Sequence, residues 1–284
     1  KTFNDNRKSI FESKVSFESD IKNGFKYIHI DTSKLIKSDH DFEILFELLD
    51  FCNSLAKKYK KNILYEVGTE EQSMVSFSPQ KLDYTLNKIE KGCKKFGLPF
   101  PKFIVAQTGT FVKNTQNIGT FERKLRVENQ LPAPIQIFKV LDICKKYGIS
   151  LKQHNSDYLS NNSLRLLKKI GVNAINVAPE LGFVETKAII DLLNIKNAKK
   201  EKDRLIESCI KKGMWKKWVY GNVSDLTKTY TSCHYLFSTD EFYNFKLKFI
   251  KDYLNNDHRK FENICKKSIK KAILRYYFNL NIIK

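Results

Sequence analysis

The sequence predicts an α/β fold built on a parallel sheet, and three observations carry that prediction. Five short runs have the length and apolar content of buried strands. Helical patterns with a 3.6-residue apolar period lie between them. Glycines stand where helices give way to strands. Strand and helix in alternation mark a parallel sheet, because parallel neighbours need a crossover between them.

The elements follow in order. A helical pattern over Arg7–Asn23 leads into the first run, Lys26–Asp31 (KYIHID). Phe42–Lys60 then repeats apolar residues at Ile44, Leu45, Leu48, Leu49, Cys52 and Leu55. The second run is Asn62–Gly68 (NILYEVG), followed by a helical pattern over Leu82–Phe96. The third run is Lys102–Gln107 (KFIVAQ), followed by Ile135–Tyr147. The fourth is Ile149–His154 (ISLKQH), followed by Leu164–Ile170, and the fifth is Asn173–Val177 (NAINV). Gly24, Gly97 and Gly148 each sit just after a helix, where a chain reversal calls for positive φ. From Glu201 the strands stop, and helical patterns cover Glu201–Trp215, Asp240–Asn255 and Asp257–Phe278. The expected organisation is a (β/α) barrel portion over 1–200 and a C-terminal helical extension over 201–284 packed on it. Trp215 and Trp218, in MWKKWVY, read as anchors of that extension. A closed barrel of this type has eight strands. With five runs, either three N-terminal strands are missing or the sheet is open.

Composition removes several classes. Hydrophobic residues make up 42% of the 284 residues, enough to offset the ordering entropy that keeps polar chains unfolded. With 11 Gly and 6 Pro, collagen-like and linker-dominated chains are excluded. No apolar run approaches the roughly 20 residues of a membrane span. The six cysteines form no C-x-x-C pair, so reduced thiols in a cytoplasmic protein are expected. The net charge of +20 is that of a nucleic-acid binder, yet the lysines are spread over nearly every helix. A solvated lysine-rich surface is the expectation, with neither nucleic acid nor membrane as partner.

In a parallel α/β fold, chemistry gathers at the C-terminal ends of strands. The first run ends in Asp31-Thr32-Ser33 and the second in Glu66-Val67-Gly68-Thr69-Glu70-Glu71. The third ends in Gln107-Thr108-Gly109-Thr110, the fourth in His154-Asn155-Ser156-Asp157, and the fifth in Asn176-Val177-Ala178-Pro179-Glu180. Together these would line one polar mouth. Glu66, flanked by apolar residues, is either a metal ligand or a carboxylate neutralised by a partner, and Asp31 shares that ambiguity. His154 is either a site residue or a hydrogen-bonded structural one. His29 alternates with Ile28 and Ile30 and reads as structural. No phosphate loop, dinucleotide fingerprint, nucleophile elbow or H-E-x-x-H motif is present, and no run ends in a Schiff-base lysine.

The series YIHIDTS, LYEVGTEE, QHNSDY and GVNAINVAPELG resembles the GatZ/KbaZ family, the accessory, non-catalytic subunits of D-tagatose-1,6-bisphosphate aldolase. The resemblance runs from Arg7 to about Asp240 and is most marked over Leu151–Leu193. It implies a (β/α)8 TIM-type barrel, here lacking its N-terminal strands, and an open edge that another chain would cover. It implies a partner, a catalytic class II aldolase subunit, in ketohexose-phosphate catabolism, and an oligomeric assembly. Against the zinc-dependent aldolases, Glu66 and His154 match metal-binding positions and Asn176 matches a substrate-holding asparagine. Thr108-Gly109 stands where those enzymes carry a further zinc-binding histidine. Thr is a poor zinc ligand, so the zinc set is incomplete and no aldol cleavage is expected from this chain alone. The resemblance thus implies a vestigial sugar-phosphate site at Asp31, Ser33, Glu66, His154, Ser156, Asp157 and Asn176, with no cofactor required. The alternative is a sugar-phosphate aldolase or epimerase, or a kinase-labelled enzyme, acting in its own right at the same mouth.

Overall fold

The structure is a computed structural model that describes residues 3–33, 41–68, 78–123 and 132–282. It contains α1 (Phe3–Lys22), β1 (Tyr27–Asp31), α2 (Asp41–Lys58), β2 (Leu64–Gly68), α3 (Pro79–Phe96) and β3 (Phe103–Ala106). Next come β4 (Val112–Lys113), β5 (Gln116–Asn117), α4 (Ala133–Lys146), β6 (Ser150–Gln153), α5 (Asn161–Ile170) and β7 (Ala174–Ile175). The rest is helical: α6 (Pro179–Ile195), α7 (Lys199–Lys212), α8 (Asp225–Ser232), α9 (Asp240–Leu254) and α10 (His258–Asn279). The chain divides into two compact units. The first comprises Lys1–Thr110, Arg123–His154 and Ile170–Ile175; the second comprises Phe111–Glu122, Asn155–Lys169 and Asn176–Lys284.

The first unit holds a five-stranded sheet in the order β1-β2-β3-β6-β7, with every pairing parallel. All five predicted strands are present, trimmed at their polar ends. Among the described residues the sheet is open, and no closed barrel forms. Its register separates two faces. One carries Ile28, Ile30, Tyr65, Val67, Ile104, Ala106 and Leu151, all buried. Fully burying an aliphatic side chain of this size contributes about 1.5–3 kcal/mol. That apolar face therefore fixes which way every strand is turned. The opposite face carries His29, Asp31, Glu66 and Lys152 beside Leu64, Phe103 and Val105. Helices α1 to α4 pack in sequence, each on the next, and α2 and α4 lie against β1 and β6. Gly97 and Gly148 adopt φ of 63° and 65°, as the helix-to-strand junctions require.

The second unit is a helical assembly with a β-hairpin. Ile189, Leu193, Leu205, Cys209, Leu236, Phe249, Leu254 and Phe261 form its buried core. Side-chain caps start three of its helices: Ser224 accepts from Thr227 N, Thr239 from Phe242 N, and Asp257 from Lys260 N. The β4–β5 hairpin turns through Asn114 and Thr115, both at positive φ, the geometry of a two-residue type I′ turn. Asn114 then ties the hairpin to the tryptophan segment. Its N–H donates to Trp218 O, and its side chain exchanges hydrogen bonds with the Tyr220 backbone. Trp218 Nε1 donates to the Tyr235 hydroxyl at 3.1 Å, and Trp215 Nε1 to the Ile210 carbonyl at 3.3 Å. All six cysteines are buried and free. No described helix is long and apolar enough to cross a membrane.

Candidate functional site

The polar face of the sheet builds the candidate site. Side chains alternate along a strand, and register partners point the same way. His29 and Asp31 on β1 therefore share a face with Glu66 and Gly68 on β2, Val105 on β3 and Lys152 on β6. The centre of that face is an ion cluster. Lys152 Nζ donates to both Glu66 oxygens, at 2.6 and 2.9 Å, spanning the width of β3. His29 Nδ1 lies 3.2 Å from Glu66 Oε1, without the alignment of a hydrogen bond. The Glu66 side chain is 9% exposed and that of Lys152 16%. Burial pushes the Glu66 carboxyl upward, but His29 and Lys152 beside it outweigh burial and hold it below the ordinary glutamate value. Gly68 leaves space for this arrangement: a Cβ there would lie 3.0 Å from His29 Cε1 and 3.5 Å from Asp31 Oδ1.

His154 follows β6. Its Nδ1 lies 2.7 Å from Gln107 Nε2. The amide donates, so Nδ1 accepts and the ring proton sits on Nε2. The Thr110 hydroxyl donates to the His154 carbonyl. Burial lowers the His154 pKa; the Asp31 charge opposes this, and His29 and Lys152 add to it. The imidazole is a neutral donor at ordinary pH. The face thus combines two carboxylates, one ammonium and two imidazoles.

The predicted residues fall into two groups. Asp31, Glu66 and His154 belong to the first unit and to this face. Ser33 joins Asp31 in a tight turn, its N–H donating to Asp31 Oδ1 at 2.9 Å. Ser156, Asp157 and Asn176 belong to the second unit. There Ser156 N donates to Asn176 O, and Asp157 Oδ1 accepts from Ala178 N and Glu180 N at 2.8 and 2.9 Å. Asp157 thereby caps the start of α6 and is 1% exposed. Thr69, Glu70 and Glu71 lie outside the described residues. Of the two readings of Glu66, the structure shows the carboxylate neutralised by a partner, Lys152. His29, read as structural, stands beside it. Gln107 was among the strand-end residues expected to line the mouth; Lys152 was not anticipated. The signal for Lys152 was present, since alternation places it with His154.

The zinc implied by the aldolase resemblance does not fit this donor set. The Glu66 oxygens already hold an ammonium, the only resolved partner of His154 Nδ1 is an amide, and Thr108 supplies no imidazole. Among the described residues no three His, Cys, Asp or Glu side chains converge as metal ligands.

No protein-family model matches the chain, and no curated protein matches it. Solved structures do. A probable tagatose 6-phosphate kinase from Sinorhizobium meliloti 1021 superposes with a TM-score of 0.67 at 14% identity, over 96% of this chain and 78% of that one. The fructuronate-tagaturonate epimerase UxaE from Cohnella laeviribosi, complexed with glycerol, gives 0.57 at 10% identity, over 93% of this chain and 66% of the epimerase. Its native form gives 0.51 at 12% identity, over 96% and 60%. At such identities the likeness is one of fold.

Proposed function

We propose that the chain is a (β/α)-barrel protein of carbohydrate metabolism, of the GatZ/KbaZ type. In this reading it works in the cytoplasm, binding and stabilising a catalytic class II tagatose-bisphosphate aldolase subunit. Its polar sheet face holds a ketose phosphate by the sugar hydroxyls. The observation that carries the reading is the Lys152–Glu66–His29 cluster. It occupies the strand carboxylate that metal-dependent chemistry would need, and it offers a ring of donors and acceptors suited to a polyol. The shared fold with proteins named for tagatose 6-phosphate and tagaturonate supports the substrate class.

The test uses the purified full chain, alone and mixed with a class II aldolase subunit from the same genome. Coelution, a raised melting temperature for the mixture and no cleavage by the chain alone are expected. Cleavage of tagatose bisphosphate by the chain alone would overturn the accessory role. One observation favours a second reading: neutral His154, with its proton on Nε2, can donate a hydrogen bond to an oxygen that takes up charge during epimerisation. Glu66, held low by Lys152, is a weak base for the matching proton abstraction, and this places the enzyme reading second. Epimerase turnover by the chain alone would reverse that order.

A further inference from the structure

We propose that the outer face of α10 is a docking surface for an anionic lipid bilayer. This inference is independent of the reading above, and it gives one helix a task that a merely solvated lysine-rich surface would not have. The inner face of α10 is fixed in the helical unit by Phe261, Cys265, Ala272, Tyr276 and Asn279, all buried. The outer face changes character along its length. Its first half is basic: Lys266, Lys267, Lys270 and Lys271 are exposed. Its second half is apolar: Leu274, Tyr277 and Phe278 are 40%, 42% and 60% exposed. Ile282, 59% exposed, folds back beside them, its N–H donating to Tyr277 O at 2.9 Å. Lys267, Lys271, Leu274 and Phe278 are spaced as neighbours on one side of a helix, and so form a row about 16 Å long.

The charge of this face is not cancelled. Glu262 is the one acid on α10, and no acid follows it up to Lys284. It lies 3.6 Å from Lys246 and 3.5 Å from Lys266, so on this face it offsets Lys266 at most. Lys267, Lys270 and Lys271 have no ion-pair partner among the described residues. A cationic stretch that runs on into exposed aromatic and aliphatic side chains calls for a partner that is anionic outside and apolar within. A bilayer with acidic headgroups has that order: the lysines meet the phosphates, and Leu274, Phe278 and Ile282 enter the acyl boundary. Tyr277 suits the interface between the two. A nucleic-acid duplex would answer the lysines and leave the apolar half in water. An acidic protein would need both patches in matching order, whereas a bilayer presents them everywhere. The net charge of +20 adds attraction to an extended anionic surface.

The test is cosedimentation of the full chain with vesicles of phosphatidylcholine and phosphatidylserine, against phosphatidylcholine alone. Binding to the acidic vesicles only is expected, falling as salt rises. Lys267→Gln combined with Lys271→Gln should weaken it about 25-fold, roughly fivefold for each lysine. Phe278→Gln should weaken it about tenfold through lost apolar burial. These side chains are exposed, so circular dichroism and melting should be unchanged. Lys57→Gln combined with Lys61→Gln removes two exposed lysines of the sheet unit and separates this face from net charge. That pair should cost no more than about twofold. No binding to acidic vesicles, equal losses from the two lysine pairs, or binding indifferent to Phe278→Gln would each overturn the surface. Single-stranded DNA that displaces the vesicles and binds the Phe278→Gln variant undiminished would assign the face to nucleic acid and overturn it as well.

Discussion

Glu66 and Glu180 are almost equally buried, at 7% and 8% exposure, yet the fold uses them in opposite ways. In the helical unit, Glu180 is saturated by groups tied to the scaffold. Arg275 reaches its two oxygens at 2.9 and 3.2 Å, the Tyr158 N–H donates at 2.6 Å, and the Tyr276 hydroxyl donates as well. Arg275 is further anchored to Leu159 O and Asn161 Oδ1. The result locks α10 to the start of α6. In the sheet unit, Glu66 is held by two side chains of the polar face. Burial of a charge therefore does not mark a site. The marker is whether its partners are bound to the scaffold or stand on a face beside other reactive groups.

The largest expected effect tests the lock. Glu180→Gln removes the charge opposite Arg275 and should destabilise the helical unit by about 3 kcal/mol, the cost of leaving a buried partner unpaired. Urea unfolding measures it. Lys152→Met should cost about 2 kcal/mol, because Glu66 keeps only His29. Adding Glu66→Leu should recover most of that loss, with a coupling of about 1–2 kcal/mol in the double-mutant cycle. Binding of tagatose 6-phosphate, read by calorimetry, should vanish in Lys152→Met and survive in Glu180→Gln. A larger stability loss for Lys152→Met than for Glu180→Gln would break the contrast.

The sequence showed the frame better than the finer parts. The buried strands announce themselves because their inward residues are nearly all apolar. The β4–β5 hairpin does not, since each strand is two residues long and only Asn114-Thr115 marks the turn. Helix α8 is hidden by Thr227, Thr229, Thr231 and Ser232, residues of low helix preference. In the structure the hydroxyls of Thr229, Thr231 and Ser232 bond back to carbonyls one turn earlier. Asp31, Glu66 and His154 were legible as polar residues at strand ends. His29 and Lys152 required the alternation to be followed one step inward. At Asn155 the chain takes φ of 52°, so alternation ends there and places neither Ser156 nor Asp157.

The two units also answer pH with opposite signs. Burial pushes the Asp157 carboxyl up to about 6, against the lowering effect of the Glu180 and Ala178 N–H groups. The folded state then binds its proton more tightly than the unfolded chain does. This contribution is fully present below the ordinary aspartate value near 4 and is lost as pH rises through about 6. Glu66, held low, does the reverse: its contribution is present above the ordinary glutamate value and is lost as pH falls through its lowered one. Asp157→Asn should flatten the decline between about pH 4 and 6, and Glu66→Gln should remove part of the acid-side loss. Unfolding at a series of pH values separates the two.

The smallest effect isolates the site from stability altogether. Gln107→Leu removes the amide 2.7 Å from His154 Nδ1. One hydrogen bond to a neutral imidazole contributes only about 0.5–1.5 kcal/mol net, so melting should barely move. The tautomer should move, because nothing else resolved in the structure donates to Nδ1. Burial still keeps the ring uncharged, with the nearby Lys152 opposing protonation. Nitrogen NMR of His154 should change from a single Nε2–H form to a mixture, and tagatose 6-phosphate binding should weaken with it. A tautomer unchanged in Gln107→Leu would mean that the face does not orient its histidine through Gln107. The polar face would then lose the feature that most distinguishes it from the scaffold-bound lock at Glu180.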